Sequence, residues 1–140
     1  MKKNLLLPLA LFVIFGFTKL SSDPADPVKK VIAGINAKDT TEILGAFTPE
    51  MRQEFRDMLA PIGGFNQMFL LLGNEKVNVK IISVKITSPT TAIVKATTIV
   101  KQKGKSTKET SDYHVEKNEN NIWLINDLKS LMKKRVEEAH

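Results

Sequence analysis

Apolar and polar positions change their period once along the chain, near Gly73. Before this point apolar residues recur every three or four positions, which is typical of helices, and after it they alternate with polar residues, as in strands. No internal repeat or low-complexity tract interrupts either part. With 140 residues, the chain is long enough for one hydrophobic core. The pattern therefore predicts a single α+β domain, with helices first and strands second.

The first part predicts three helices. The first covers 27–37 and carries one apolar stripe, and Gly34 within it would allow a close approach to a neighbouring segment. A capping box that begins at Asp39 opens a short second helix. The third begins after Thr48, a favourable N-cap followed by proline, and ends at Pro61.

The segment "FNQMFLLLG" differs from these helices because its residues 68–72 are apolar nearly all round. In a water-soluble protein this composition indicates either deep core or a contact surface. Four segments with a period of two follow, namely "VNVKIISVKIT", "TAIVKATTIVKQ", "STKETSDYHVEK" and "NIWLINDLK". Short turn signals separate them, which favours an antiparallel meander with one face against the helices.

The first strand breaks its own alternation. Val77, Val79 and Ile81 share one parity, whereas Ile82, Val84 and Ile86 share the opposite parity. A β-bulge at Ile81 and Ile82 would return both sets to one face and would bend the strand. The alternative is a central strand that is apolar on both faces. The regular placement of polar residues between the apolar ones favours the bulge, and a bent sheet around helices forms a cone.

Helices that carry "VKKVIAGINAKDTTEILGAFTPE", long bent strands and a last strand "NNIWLIND" resemble the nuclear transport factor 2-like superfamily, which includes SnoaL-like and cystatin-like cones. The likeness is greatest to small secreted bacterial domains of unknown function, some of them labelled lumazine-binding-like. It implies N-terminal helices packed on a bent four-stranded antiparallel sheet, a cone-shaped α+β barrel, with a concave pocket and frequent dimerisation through the sheet. The fold is reused by isomerases, dehydratases, binding modules and regulators, so it selects no activity.

The N-terminus predicts export. Two lysines precede an apolar run over 5–17 and a small, polar stretch, which is the layout of a secretory signal. We expect a signal peptide over 1–22 and a domain over 23–140, with an uncleaved signal anchor as the alternative. The chain has no cysteine, so neither a disulfide nor a lipid on cysteine is expected. The expected location is periplasmic or extracellular, with membrane contact only through the signal.

Strand parity and helix stripes suggest which side chains enter the cone. The predicted pocket residues are Phe47, Met51, Phe55, Phe65, Phe69, Thr98, Ser111, Tyr113, Trp123 and Asp127. The aromatic and methionine residues among them fit an apolar ligand site, although their helical spacing equally fits plain core. The family pattern implies that Trp123 and Ile125 face the helices, which would put Asp127 at the rim near the phenol of Tyr113. The alternative for Asp127 is a strand-end residue that caps a turn.

Other chemistries find little support in the sequence. Two separated histidines, no cysteine and no H-E-x-x-H give no metal-ligand set, and neither G-x-S-x-G nor a P-loop is present. His114 is the natural candidate for a catalytic base, but it shares its parity with polar neighbours. His140, at the terminus, is a weaker candidate. The lysine-rich run "KQKGKSTK" could contact phosphate or an anionic polysaccharide, but it lacks the aromatic residues that stack on bases, and a solvated hairpin tip is the favoured interpretation. We expect no cofactor and no nucleic-acid partner.

The sequence therefore predicts an exported, non-catalytic binding module with a small apolar ligand or a protein partner in a cone pocket. The first alternative is a pocket enzyme of isomerase or lyase type that uses Tyr113 and Asp127. The second is a structural homodimer joined through the outer face of the sheet or through residues 68–72.

Overall fold

The computed structural model describes residues 23–102 and 104–127. The helices are α1 (Asp26–Ala37), α2 (Thr40–Gly45), α3 (Pro49–Leu59) and α4 (Gly64–Leu72), with a 3-10 turn at Ala60–Ile62 after α3. The strands are β1 (Val77–Ser88), β2 (Thr91–Gln102), β3 (Lys105–Lys117) and β4 (Trp123–Asp127). The predicted signal peptide over 1–22 lies outside the described residues. None of the helices in the described ranges is long and apolar enough to cross a membrane.

The four strands form one antiparallel sheet in the order β1-β2-β3-β4. The predicted meander is therefore confirmed. The helices pack on one face of this sheet, which we call the inner face; the opposite face is the outer face. The sequence predicted three helices within residues 26–72, where the structure describes four, because the apolar segment before Gly73 is itself the helix α4.

Two helix starts follow the predicted capping chemistry. The Asp39 carboxylate accepts a hydrogen bond from the Glu42 backbone N–H at 3.1 Å. The Thr48 hydroxyl accepts one from the Met51 backbone N–H at 3.4 Å. These bonds satisfy donors that have no partner inside the helix. Gly63, with a φ of 104°, then separates the 3-10 turn from α4 in a backbone region that favours glycine.

The bulge predicted in β1 is present. The register passes from Ile81 opposite Ala96 to Ser83 opposite Lys95, so Ile82 is an extra residue. Its side chain is 49% exposed, which rules out the alternative of a strand buried on both faces. A second register shift lies between Ile86 and Ser88. Because a bulge bends a strand and increases its twist, these two shifts are expected to curve the edge strand.

Except for Ile82 itself, the bulge aligns the apolar residues of β1 on the inner face, yet the helices cover only part of them. Val77 is buried, whereas Val84 and Ile86 at the far end are exposed. Helix α1 contacts β4 at one end and β1 at the other. Its Asn36 side chain accepts from the Val77 N–H and donates to the Val77 carbonyl, both at 2.8 Å. The helix thus crosses the sheet diagonally and leaves that corner of β1 uncovered.

The core lies between the helices and the inner face. Its largest fully buried side chains are Phe47, Ile43, Leu59, Ile125, Val28, Val94 and Val115. Trp123 and Ile125 are both buried, as the family pattern implied. The edge at β4 is closed by the chain before α3, because the Thr48 N–H donates to the Ile125 carbonyl and the Ile125 N–H donates to the Ala46 carbonyl. This contact fixes α3 against the sheet.

Candidate binding site at the mouth of the cone

The residues predicted to line a pocket do not form one site. Phe47, Phe55, Tyr113 and Trp123 are buried members of the core. Met51, Phe65 and Phe69 are half-buried against that core, and Thr98 and Ser111 are half-buried on the inner face. The interior of the cone is therefore occupied largely by its own side chains.

A chain of aromatic rings fills this interior. Phe47 stacks on Phe55 with ring centroids 5.0 Å apart. Phe55 contacts Phe65 at 5.7 Å, and Phe65 contacts Phe69 at 6.0 Å. Such separations lie in the range where aromatic pairs attract one another beyond their buried area. The rings lead from the buried core to the half-exposed helix α4.

A groove lies at that end of the cone, between the C-terminal end of α4 and the start of β3. Its volume is about 640 Å³, and its lining residues are Leu71, Leu72, Gly73, Asn74, Glu75, Lys105 and Thr107. We call it the mouth groove. Lys105 pairs with Gln102 and Thr107 with Val100, so both belong to the inner-face register. The groove thus combines apolar side chains from the helix with the amide and carboxylate of the two residues after Gly73 and with a cation and a hydroxyl from the strand.

Further inside, β3 presents polar side chains to the cone. Glu109, Ser111 and Tyr113 alternate along it on the inner face. Burial raises the pKa of the Tyr113 phenol above its ordinary value, and the negative charge of Glu109 raises it further. The phenol therefore keeps its proton and can donate a hydrogen bond. Glu109 was absent from the predicted pocket, although its parity with Ser111 and Tyr113 could have identified it.

The titration of Tyr113 tests this placement of Glu109. Tyr113 is the single tyrosine, so ultraviolet absorbance of the phenolate reports this residue alone. We expect a midpoint above that of free tyrosine, and Glu109→Gln should lower it without restoring the free value, because burial remains the larger cause. The phenol of Tyr113 loses its proton at a lower pH in the unfolded chain than in the folded domain. The contribution of Tyr113 to the free energy of unfolding therefore declines as the pH rises above about 10.

The matched control is Glu119→Gln, which removes a carboxylate from an exposed turn. This variant should keep the midpoint of the wild type. An unchanged midpoint in Glu109→Gln would show that the carboxylate does not act on the phenol.

The predicted approach of Asp127 to Tyr113 is wrong. Val115 lies opposite Ile125, but His114 lies opposite Asp127, so Asn126 is an extra residue in β4. Asp127 therefore shares the register position of His114, on the face opposite to Tyr113. The Asn126 side chain donates to the Glu116 carboxylate at 2.8 Å. This second bulge could not be read from the alternation of so short a strand.

Two smaller clefts lie beside β4. One, of about 470 Å³, joins the start of α3 to the end of β3 and is lined in part by Met51 and Glu116. The other, of about 180 Å³, lies beside Pro27 and Trp123. Among the residues that the structure describes, no three His, Cys, Asp or Glu side chains are grouped so that they could hold a metal ion.

Comparisons with known proteins give a fold but no activity. No protein-family model matches the chain, and no curated protein matches it. Its structure is similar to that of an NTF-2 like protein of unknown function from Shewanella oneidensis, with a TM-score of 0.50 and 13% identity over 74% of this chain and 95% of that one.

Two further structures are similar at lower scores. A ketosteroid isomerase-like protein from Erwinia carotovora has a TM-score of 0.43 and 14% identity, over 71% of this chain and 85% of that one. A domain of unknown function with a cystatin-like fold from Nostoc punctiforme has a TM-score of 0.48 and 9% identity, over 82% and 83%. The described helices and the open four-stranded antiparallel sheet, together with the likeness to the Shewanella oneidensis structure, show an α+β domain with the NTF-2 like cone fold.

Proposed function

We propose that this domain is a non-catalytic binding module that takes up a small, largely apolar molecule in the mouth groove. The observation that carries the proposal is the groove itself, whose volume of about 640 Å³ is that of a typical small-molecule site. Leu71 and Leu72 would contact the apolar body of the ligand. Lys105 and Thr107 would orient a polar or anionic group at its end.

The exposure of helix α4 supports the same location. Leu70 is 73% exposed and Leu71 is 63% exposed. Neighbouring leucines exposed to this extent are unusual for a monomer and are typical of interaction sites. The interpretation of residues 68–72 as deep core is wrong for these two side chains. Their exposure favours the other interpretation, a contact surface.

A binding role is favoured over the pocket enzyme for a geometric reason. That hypothesis required Tyr113 and Asp127 to converge, and the register assigns them to opposite faces of the sheet. Ligand capture in the groove needs neither residue. It needs only apolar contact and one or two polar partners.

The fluorescent probe 1-anilinonaphthalene-8-sulfonate tests the proposal, because it joins an apolar ring system to one anionic group. We expect one probe per chain, and Leu71→Asp should weaken its binding at least about tenfold, which corresponds to about 1.4 kcal/mol. A buried carboxylate beside the rings of the probe would be both desolvated and repelled. The measurement is a fluorescence titration.

The matched control is Leu70→Asp, since Leu70 precedes Leu71 on the same helix but does not line the groove. Its affinity should stay within about twofold of the wild type, which is well under 1.4 kcal/mol. Equal losses in the two variants would contradict a defined site. If light scattering showed a dimer that either aspartate dissociates, the surface would be a subunit interface, and the ligand proposal would be wrong.

A further inference from the structure

Charge is distributed unequally between the two halves of the domain. Residues 23–75, which form the helices, carry five basic and eight acidic side chains. Residues 76–127, which form the sheet, carry nine basic and five acidic side chains. The net charge of the whole chain is moderate, but the part that contains the sheet is positive and the part that contains the helices is negative. Fields of this kind attract a partner of opposite sign to one side of a protein.

Exposed lysines of the outer face fall into two groups, because Lys95 lies opposite the Asp112 carboxylate whereas three others lie on the side of the hairpin that joins β2 and β3. Lys80, Lys101 and Lys108 are exposed there. Lys101 lies opposite Ser106, Lys108 opposite Ile99, and Lys80 opposite Thr97, so all three belong to the outer-face register. The acidic side chains of β3 lie elsewhere, because Glu109 belongs to the inner face and Asp112 and Glu116 lie farther from the hairpin.

The register sets the spacing of these lysines. Lys101 and Lys108 are diagonal neighbours on adjacent strands, with backbones about 8 Å apart, and Lys80 lies two strands from Lys108, about 12 Å away. Thr97 and Thr110 continue the register level of Lys80 across β2 and β3, and their hydroxyls are joined by a hydrogen bond of 2.7 Å. The three cations therefore lie at the corners of a triangle that spans three strands, which we call the lysine triangle.

We propose that the lysine triangle binds a polyanion on the outer face of the sheet, at the hairpin end. Negative groups of one polymer chain can contact the three ammonium groups, and each contact releases counterions. The outer-face positions of β1, β2 and β3 contain no Phe, Tyr or Trp. The surface can therefore contact the charged groups of a polymer, but it has no aromatic side chain that could stack on bases. It lies on the opposite side of the sheet from the mouth groove.

The test is the binding of heparin to the naturally processed chain, measured by isothermal titration calorimetry over a range of salt concentrations. We expect the triple variant Lys80→Gln, Lys101→Gln, Lys108→Gln to bind at least about tenfold more weakly at low salt. The slope of log K against log salt should become shallower by about 2, since each lost contact removes about 0.7. Circular dichroism verifies that the variant is folded.

The matched control is the triple variant Lys29→Gln, Lys30→Gln, Arg56→Gln, which removes the same charge from exposed positions on α1 and α3. It should bind heparin within about twofold of the wild type and keep the salt slope. The four basic residues within 129–135 are common to all three proteins and cancel in the comparison.

Equal losses in the two triple variants would overturn the proposal, because net charge alone would then explain the binding. Unchanged affinity in the variant that lacks the three lysines of the triangle would overturn it as well. Vesicles of phosphatidylglycerol and phosphatidylcholine are the last comparison. Tighter binding to these vesicles than to heparin, lost with the same three lysines, would assign the lysine triangle to a membrane surface instead of a polymer.

Discussion

Replacing Phe47 with alanine is expected to lower the free energy of unfolding by about 3–5 kcal/mol, as for other buried aromatic residues. The Phe47 side chain is 2% exposed and stacks on Phe55. The flanking backbone bonds to β4 on both sides, so the surroundings cannot collapse easily into the space left behind. Since domains of this kind are stable by about 5–15 kcal/mol, the loss would be a large fraction of the total. Urea unfolding followed by circular dichroism measures it.

The control for this variant is Leu70→Ala, which removes a large apolar side chain from the surface. It should change the free energy of unfolding by no more than about 0.5 kcal/mol. If the two substitutions had similar small effects, the aromatic chain would not be the centre of the core.

Replacing Gly34 with alanine is expected to destabilise the domain by about 2 kcal/mol, although alanine normally stabilises a helix relative to glycine by about 1 kcal/mol. A Cβ atom on Gly34 would lie 2.7 Å from Cγ1 of Ile43 and 2.9 Å from its backbone nitrogen. The Ile43 side chain is fully buried and its backbone belongs to α2. Neither can move away without separating α1 from α2. Thermal and urea unfolding report the effect.

Gly45→Ala is the matched control, because it places the same methyl group in the neighbouring helix. Its Cβ would meet only the end of the Lys30 side chain, at 3.2 Å from Nζ. That flexible chain can shift, so we expect unchanged stability or a gain of up to about 1 kcal/mol. A Gly34→Ala variant as stable as Gly45→Ala would mean that the contact between α1 and α2 adjusts freely.

Local chemistry made several parts of this fold predictable. The Asp39 and Thr48 caps act within three residues, so the sequence alone identifies them. The bulge at Ile82 was predictable because β1 is long enough for a change of parity to stand out. The meander followed from short links between the strands, which leave few other arrangements.

Features that depend on packing were not predictable in the same way. The extra residue Asn126 lies near the end of a five-residue strand, where no alternation is long enough to reveal it. The exposure of Leu70 depends on which face of α4 meets the core, and a segment that is apolar all round does not specify that face. The mouth groove lies where the end of α4 meets the start of β3, two segments that are far apart in sequence. No local pattern shows that they meet, so the predicted pocket residues were mostly core residues instead.

The extra residue in β1 also has a consequence at the level of the gene. Deleting one codon from a regular strand reverses inside and outside for every side chain beyond it. At Ile82 the register already contains an unpaired residue, so loss of that codon would leave Val84 and Ile86 on the inner face and would remove only the bend. Deletion of this codon would therefore change the bend of β1, and with it the width of the cone, while the same side chains continued to line the inner face.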